Sequence, residues 1–294
     1  MSKVWFITGS SRGLGRVLAE QVLAAGHRLV ATARNPAQLA DLAARYGDRL
    51  RAVALDVADA SAADAAITAA IAAFGRIDVL VNNAGYANVN SIEDLPADDF
   101  RAQIETNLFG VVNVTRAALP HLRRQRSGHI IQISSIGGRQ ASPGLGAYQA
   151  AKWAVGGFSE VLAKEVAPFD IKVTVIEPGG MRTDWAGASM RLDELQTDYQ
   201  STIGAFARVV RGNADTMRGD PGKVAKAILQ MADEPTPPLR LPLGSDAVFL
   251  ARVAGEARLA TDLKWQALGR STDFDGLTDF AETPLAQALA QQAR

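Results

Sequence analysis

The sequence predicts an α/β fold in which a doubly wound parallel sheet carries helices on both faces. Three observations predict it. Short β-branched runs alternate with longer helical patterns as far as residue 177, and such alternation sets strands side by side in a parallel sheet. The first strand runs straight into a glycine-rich turn (Gly9, Gly13, Gly15) that opens a helix. A late proline-bearing run at 239–243 reads as an edge strand, where a missing N–H does no harm.

Each element follows in order. Val4–Thr8 reads as a strand and 13–25 as a helix; Arg28–Ala33 as a strand and Pro36–Tyr46 as a helix opened by proline. Leu50–Ala54 is a strand, Ala60–Phe74 an alanine-rich helix, and Val79–Asn82 a strand. Residues 96–122 form a long helix or a broken pair; Ile130–Ser134 is a strand, Tyr148–Val166 a helix and Lys172–Glu177 a strand. Beyond Pro178 the pattern loosens, with helices expected at 221–232 and 246–268 and an irregular stretch at 269–280. The count comes to about seven strands in a Rossmann-like sheet with a carboxyl-terminal helical extension. No linker divides the chain, so 1–294 reads as a single Rossmann-like domain with a flap at 179–219 and an extension at 245–294.

Composition narrows the function. Lys plus Arg and Asp plus Glu both number 31, so no broad field draws nucleic acid or an anionic membrane. With no cysteine, disulfides and thiolate metal sites are excluded. His27, His121 and His129 share no metal-ligand spacing, so no metal is expected and turn or surface roles are. The start has no signal-peptide pattern and no apolar run reaches membrane-spanning length. The expectation is therefore a cytoplasmic protein.

The glycine turn is G-x-x-x-G-x-G, with Ser11, Arg12 and Leu14 between its glycines. Glycine permits a tight turn and close approach of backbone to phosphate, and the helix N-terminus then offers free N–H groups to an anion. At the end of the second strand an NAD site usually has an acid that binds the ribose hydroxyls. Here Ala33 is followed by Arg34, and the next acid is Asp41. Arg34 and Arg12 suit a 2′-phosphate, which points to NADP(H) over NAD(H). Tyr148 and Lys152 stand four apart in a helix, one turn, so both project from one face.

Seven motifs stand in order: T-G-x-x-x-G-x-G at 8–15, Leu-Asp-Val at 55–57, Asn-Asn-Ala-Gly at 82–85, Asn107 in a Thr-Asn-Leu-Phe-Gly run, Ile-Ser-Ser at 133–135, Tyr148 with Lys152, and Pro-Gly-Gly-Met-Arg-Thr at 178–183. Over these residues, about two-thirds of the chain, the sequence strongly resembles the short-chain dehydrogenase/reductase family in its single-domain form. The extension and the Ser-Ile-Gly-Gly run at 135–138 are similar to members such as 17β-hydroxysteroid and retinol dehydrogenases.

The resemblance implies hydride transfer between a ketone or aldehyde and an alcohol. It implies Tyr148 as general acid and base, Lys152 holding the ribose and lowering the phenol's pKa together with the oxidised nicotinamide, and Ser135 polarising the substrate carbonyl. Ser135 lies thirteen residues before Tyr148, the family spacing; Ser134 is expected to face the other side of the strand. Asn107 is implied as the helix kink of a proton relay. Asp56 and Val57 would hold adenine, Asn83, Ala84 and Gly85 would pass close to the ribose, and Pro178, Gly179 and Thr183 would border the nicotinamide. Trp185, Met190, Leu192, Leu195, Tyr199 and Phe206 in the flap, with Tyr86, are the expected pocket walls for an apolar substrate. Family members assemble through the long helices that carry Asn107 and follow Tyr148, so a homodimer or homotetramer is expected. A non-catalytic cofactor sensor or scaffold on the same fold is the alternative; such proteins commonly lose the tyrosine or lysine that this chain keeps.

Overall fold

The computed structural model describes residues 2–182, 190–192, 195–212 and 217–292. The chain falls into two compact units, Met1–Arg252 and Val253–Arg294.

In the first unit, β1 (Val4–Ile7), β2 (Arg28–Ala33), β3 (Leu50–Ala54), β4 (Val79–Asn82), β6 (Gly128–Ile133), β7 (Ile171–Pro178) and β9 (Arg240–Leu243) form one sheet. Its order is β3-β2-β1-β4-β6-β7-β9, and every neighbouring pair is parallel. The chain moves one way from β1 to β2 and the other way to β4. That reversal opens a crevice beyond the carboxyl ends of β1 and β4, the usual ligand position in such sheets. β9 takes the edge and carries Pro242, as its proline requires.

Strand alternation divides the core. Trp5, Ile7, Leu29 and Val81 pack with α1 (Gly13–Ala24), α2 (Ala40–Tyr46) and α8 (Pro221–Asp233) on one face. Phe6, Val30, Leu80 and Ile130 pack on the other with α3 (Ala60–Phe74), α5 (Gly110–Gln125) and α6 (Gly146–Val166). A buried aliphatic side chain of this kind contributes about 1.5–3 kcal/mol, so both layers are anchored by the pattern that predicted them. α3 starts on Asp59, whose carboxylate accepts from Ser61 and Ala62 N–H, and ends on Gly75 at φ +77°.

Several boundaries differ from the sequence reading. Pro36–Leu39 is 3-10 helix and α2 begins only at Ala40. The long helical region is neither uniform nor broken: α4 (Ala97–Ile104) passes through a π-helical turn, Glu105–Phe109, into α5. A second, two-stranded parallel sheet pairs β5 (Ala87–Val89) with β8 (Met190–Leu192), and three-residue strands are too short to show periodicity. The flap also holds α7 (Ala205–Gly212). α9 (Ser245–Arg270) runs as expected, while α10 (Pro284–Gln292) was not foreseen. His129 is buried rather than a turn or surface residue. Among the described residues no helix is long and apolar enough to cross a membrane, and no cluster of three or more ligand-type side chains could hold a metal.

Candidate active site

The glycine turn is fixed by what surrounds it. Gly9 has φ +65°, and a Cβ there would lie 2.9 Å from Ala84 Cα. At Gly15 a Cβ would lie 2.3 Å from the Gly9 carbonyl oxygen and the Asn83 amide nitrogen. Thr8 Oγ1 accepts from the N–H of Asn83 at 2.8 Å and of Ala84 at 3.0 Å. Asn83 Nδ2 donates back to the carbonyls of Thr8 and Gly9. The first and third motifs are thus one cross-linked floor. Gly13, at φ +56°, faces open space, and Arg12 at the N-cap makes no side-chain cap, so no side chain competes for the first-turn N–H groups of α1.

This floor belongs to a cavity of about 770 Å³. It is lined by Gly9, Ser11, Arg12, Gly13, Leu14, Gly15, Arg34, Asp56, Val57, Asn83, Ala84, Gly85, Tyr86, Asn107, Ser135, Tyr148, Lys152, Pro178 and Gly179. Every predicted catalytic and cofactor residue that the structure describes, with Tyr86, is therefore brought together, whereas the expected flap walls Leu195, Tyr199 and Phe206 are not part of this lining. Thr183 and Trp185 lie outside the described residues. Asn88, Thr106, Ser134 and Met181 also line the cavity and were not foreseen as such. Asn88 follows the third motif and Ser134 stands within the fifth, so position in or near a motif was the available signal.

Arg12 and Arg34 are exposed on the wall, and neither has an ion-pair partner among the described residues. Asp41 has one: both it and Glu20 pair with Arg16. The hydrogen bond from Arg16 holds the Asp41 carboxyl below the usual range. Asp56 caps its own turn, accepting from Ala58 N–H at 3.1 Å.

At the other end stand the groups with reactive protons. Lys152 is buried, and its Nζ donates to the Ile133 carbonyl at 2.8 Å. Its ammonium stands 5.7 Å from the centre of the Tyr148 ring. Burial brings Lys152 down to about 8. Burial also pushes the Tyr148 phenol up to about 12, against the pull of its hydrogen bond with Ser135. The sequence reading expects the phenol to be lowered with the oxidised nicotinamide bound; in the protein alone the loss of solvation outweighs the Ser135 hydrogen bond, because the low-dielectric site disfavours phenolate. Ser134 Oγ donates to the Lys152 carbonyl at 3.3 Å, and its N–H still pairs with the Ile176 carbonyl of β7.

Asn107 sits in the π-helical turn, fully buried. Its Nδ2 donates to the Tyr86 and Gln103 carbonyls, both at 2.9 Å, and its Oδ1 accepts from Tyr86 N–H at 3.2 Å. A π-turn widens the helix by one residue and commonly marks a functional site. Gly85 is required alongside, since a Cβ there would lie 2.6 Å from Asn107 Oδ1. Pro178 and Gly179 end β7. A Cβ on Gly179 would lie 2.2 Å from Asp246 Oδ2, which accepts from Gly180 N–H at 2.8 Å.

The Tyr148 ring packs with Ala87, Val89, Leu145 and Ile203, and Leu195, Tyr199 and Phe206 of the flap lie against them. Tyr199 also donates to Glu93 at 2.6 Å. Met190 and Leu192 lie in β8.

A doubly wound sheet with a glycine cradle at its switch point and a Ser, Tyr and Lys group at the cavity's far end defines a nucleotide-dependent oxidoreductase. The family model for short chain dehydrogenases matches residues 3–193, and the chain belongs to that short-chain dehydrogenase/reductase family. It is 54% identical over 269 residues to oxidoreductase BOA17 of Botryotinia fuckeliana, covering 91% of this chain and 98% of that one. It is 35% identical to a 3-ketodihydrosphingosine reductase of Bacteroides thetaiotaomicron, covering 82% and 88%. Among solved structures, a short-chain dehydrogenase from Streptomyces avermitilis matches at TM-score 0.88 and 40% identity, over 93% of this chain and all of that one. A Brucella melitensis 3-ketoacyl-(acyl-carrier-protein) reductase complexed with NADH matches at TM-score 0.69 and 27% identity, over 82% and 96%. A serine dehydrogenase complexed with NADP+ matches at TM-score 0.71 and 28% identity, over 82% and 94%. Relatives of this fold thus bind either nicotinamide cofactor.

Proposed function

We propose that this protein is an NADP(H)-dependent carbonyl reductase or secondary-alcohol dehydrogenase acting on an apolar ketone or aldehyde. The observation that carries the reading is the polarity of one cavity. Two exposed arginines, Arg12 and Arg34, stand on its wall, and the next acid along the sequence, Asp41, is held by Arg16. Ser135, Tyr148 and Lys152 share the same cavity beside an apolar cluster. The residues fit a dinucleotide: Gly9 and Gly15 leave no room for side chains, and the α1 N-terminus is open to an anion.

Arg12 and Arg34 would hold the 2′-phosphate, the 9–15 loop the diphosphate, and Lys152 the nicotinamide ribose. When bound, the cofactor supplies or accepts the hydride. Ser135 donates a hydrogen bond to the substrate oxygen where negative charge develops. Tyr148 gives that oxygen its proton in reduction and takes it back in oxidation. A pKa of about 12 keeps the phenol protonated and ready to donate; in the oxidative direction the positive charge of Lys152 and of the oxidised ring would favour phenolate. Asn107, held by Tyr86 and Gln103, fixes the π-turn that keeps the backbone beside Lys152. The cluster of Ala87, Val89, Leu145 and Ile203 around Tyr148 supports an aliphatic or aromatic substrate over a charged sugar, and a relative that reduces 3-ketodihydrosphingosine is consistent with a long apolar chain. We further place the protein in the cytoplasm, as a homodimer or homotetramer.

The test is a screen of apolar ketones and alcohols with NADPH and NADP+, read by absorbance of the reduced nicotinamide. Turnover favouring NADPH supports the reading. Tight NADPH binding without turnover on any carbonyl would favour a cofactor sensor instead.

A further inference from the structure

The chain leaves β7 through two glycines, Gly179 and Gly180, and glycine has the widest backbone freedom of any residue. Yet Gly179 lines the cavity with Pro178 and Met181, where the nicotinamide is expected. A wall made of so free a pair takes its shape from contacts outside it.

Backbone bonds supply part of that shape. Gly179 N–H donates to the Leu243 carbonyl at 3.0 Å, Gly219 N–H to the Gly180 carbonyl at 2.9 Å, and Arg182 N–H to the Gly219 carbonyl at 3.0 Å. One further bond depends on a side chain: Gly180 N–H donates to Asp246 Oδ2 at 2.8 Å. Asp246 stands in the first turn of α9, within the unit Met1–Arg252. Its Oδ1 is buried without a hydrogen-bond partner among the described residues, so the bond to Gly180 is what the side chain is holding.

The niche is cut to this side chain. A Cβ on Gly179 would collide with both carboxylate oxygens, and a Cβ on Gly244, at φ +109°, would lie 2.5 Å from Oδ1. Glycine at 179 is therefore required by the carboxylate behind it, whatever lies in the cavity in front. A longer side chain at 246 has no space to enter without pushing the turn toward the cavity.

We propose that Asp246 is a positioning residue for the nicotinamide end of the cofactor. It fixes the Gly179–Gly180 turn from behind, so that this part of the wall holds one shape in the cavity shared with Tyr148 and Lys152. The inference rests on the NADP(H) reading above. An acid in the first turn of α9 also suits the positive end of the helix. An ordinary helix-end acid would tolerate a change of length, whereas a positioning residue in this niche would not. An amide of the same length keeps an acceptor for Gly180 N–H and loses only the charge.

The experiment uses the full chain, unmodified and as Asp246→Ala, Asp246→Asn and Asp246→Glu. Calorimetric titration is run with NADPH and with adenosine 2′,5′-bisphosphate, which carries the 2′-phosphate and lacks the nicotinamide. Loss of the Gly180 bond should raise the Kd for NADPH about tenfold or more in the Ala and Glu variants, with Asn within about threefold of the parent. The bisphosphate should bind all four proteins within about twofold, because its site lies at the other end of the cavity. NADPH binding unchanged in Asp246→Ala or Asp246→Glu, equal losses for the two ligands, or Asp246→Asn as weak as Asp246→Ala would each overturn the proposal. Should Asp246→Ala fold poorly, the Asn and Glu pair decides. An unmodified protein that binds neither ligand would instead overturn the cofactor reading beneath it.

Discussion

Glu177 Oε1 accepts two hydrogen bonds from Arg240, from Nε at 2.9 Å and Nη2 at 2.5 Å. Its carboxylate is fully buried, and Oε2 lies 2.7 Å from Arg139 Nε in an ion pair whose N–H points off line. Arg240 continues to Glu160 at 2.9 Å. One carboxylate therefore ties the end of β7, just before Pro178, to β9, to α6 and to the loop after Ser135. Removing one partner from a buried pair leaves a charge without compensation and costs about 3–5 kcal/mol. Glu177→Ala should lower unfolding stability by that order, measured by urea titration. Arg139→Ala should cost clearly less, because the Arg139 side chain keeps 26% exposure. Equal losses in the two variants would contradict this account.

The Tyr148 phenol should be dispensable for the fold and needed for turnover. Tyr148→Phe keeps the ring within its apolar cluster and removes only the proton. We expect NADPH binding, followed by fluorescence, to change little while kcat falls about 10²–10⁴-fold. Retention of more than about a tenth of parental kcat would remove Tyr148 from the proton-transfer role.

The sheet and the cavity were legible because both rest on short-range patterns. β-branched runs gave the strands, and a run of motifs marked each loop beyond a strand's carboxyl end. What was hidden depends on contacts distant in sequence. β5 and β8 are three residues each and form only by pairing across about a hundred residues. The π-turn around Asn107 is held by Tyr86 and Gln103, which helix periodicity cannot show. The direction of the Tyr148 shift depends on burial, and the sequence shows only a neighbouring lysine.

His129 should make the protein acid-sensitive. It is 4% exposed, and its Nε2 lies 2.9 Å from Thr174 Oγ1, which itself donates to the Pro238 carbonyl. Thr174 has spent its proton, so Nε2–H is the donor and the ring is neutral. Burial, with Lys172 and Lys3 nearby, lowers the pKa from 6.5 to about 4. Between those values the unfolded chain binds more protons, so the contribution is complete above 6.5 and is lost as pH falls toward 4. It amounts to roughly 3 kcal/mol. His129→Gln keeps a donor to Thr174 and should flatten the fall in urea midpoint across that window. An unchanged pH profile in the variant would assign the acid sensitivity to other groups.

We expect cofactor choice to turn on Arg34. It stands on the cavity wall at the end of β2 with Arg12 nearby on the same wall, and neither is occupied by a carboxylate among the described residues. NADPH brings a 2′-phosphate to the adenosine ribose where NADH brings a hydroxyl. A charge-assisted arginine–phosphate contact contributes about 1.5–3 kcal/mol, or roughly ten- to a hundredfold in affinity. Because both guanidinium groups are exposed, solvent pulls the expected value toward the lower end. With NADH the arginines stay hydrated, so the penalty is moderate. We expect kcat/KM to favour NADPH, the preference to collapse in Arg34→Ala, and Arg34→Asp to go further by repelling phosphate and accepting from the free ribose hydroxyls. Steady-state kinetics with both cofactors on the three proteins decides it. Equal or better efficiency with NADH in the unmodified enzyme would make Arg34 an ordinary surface charge.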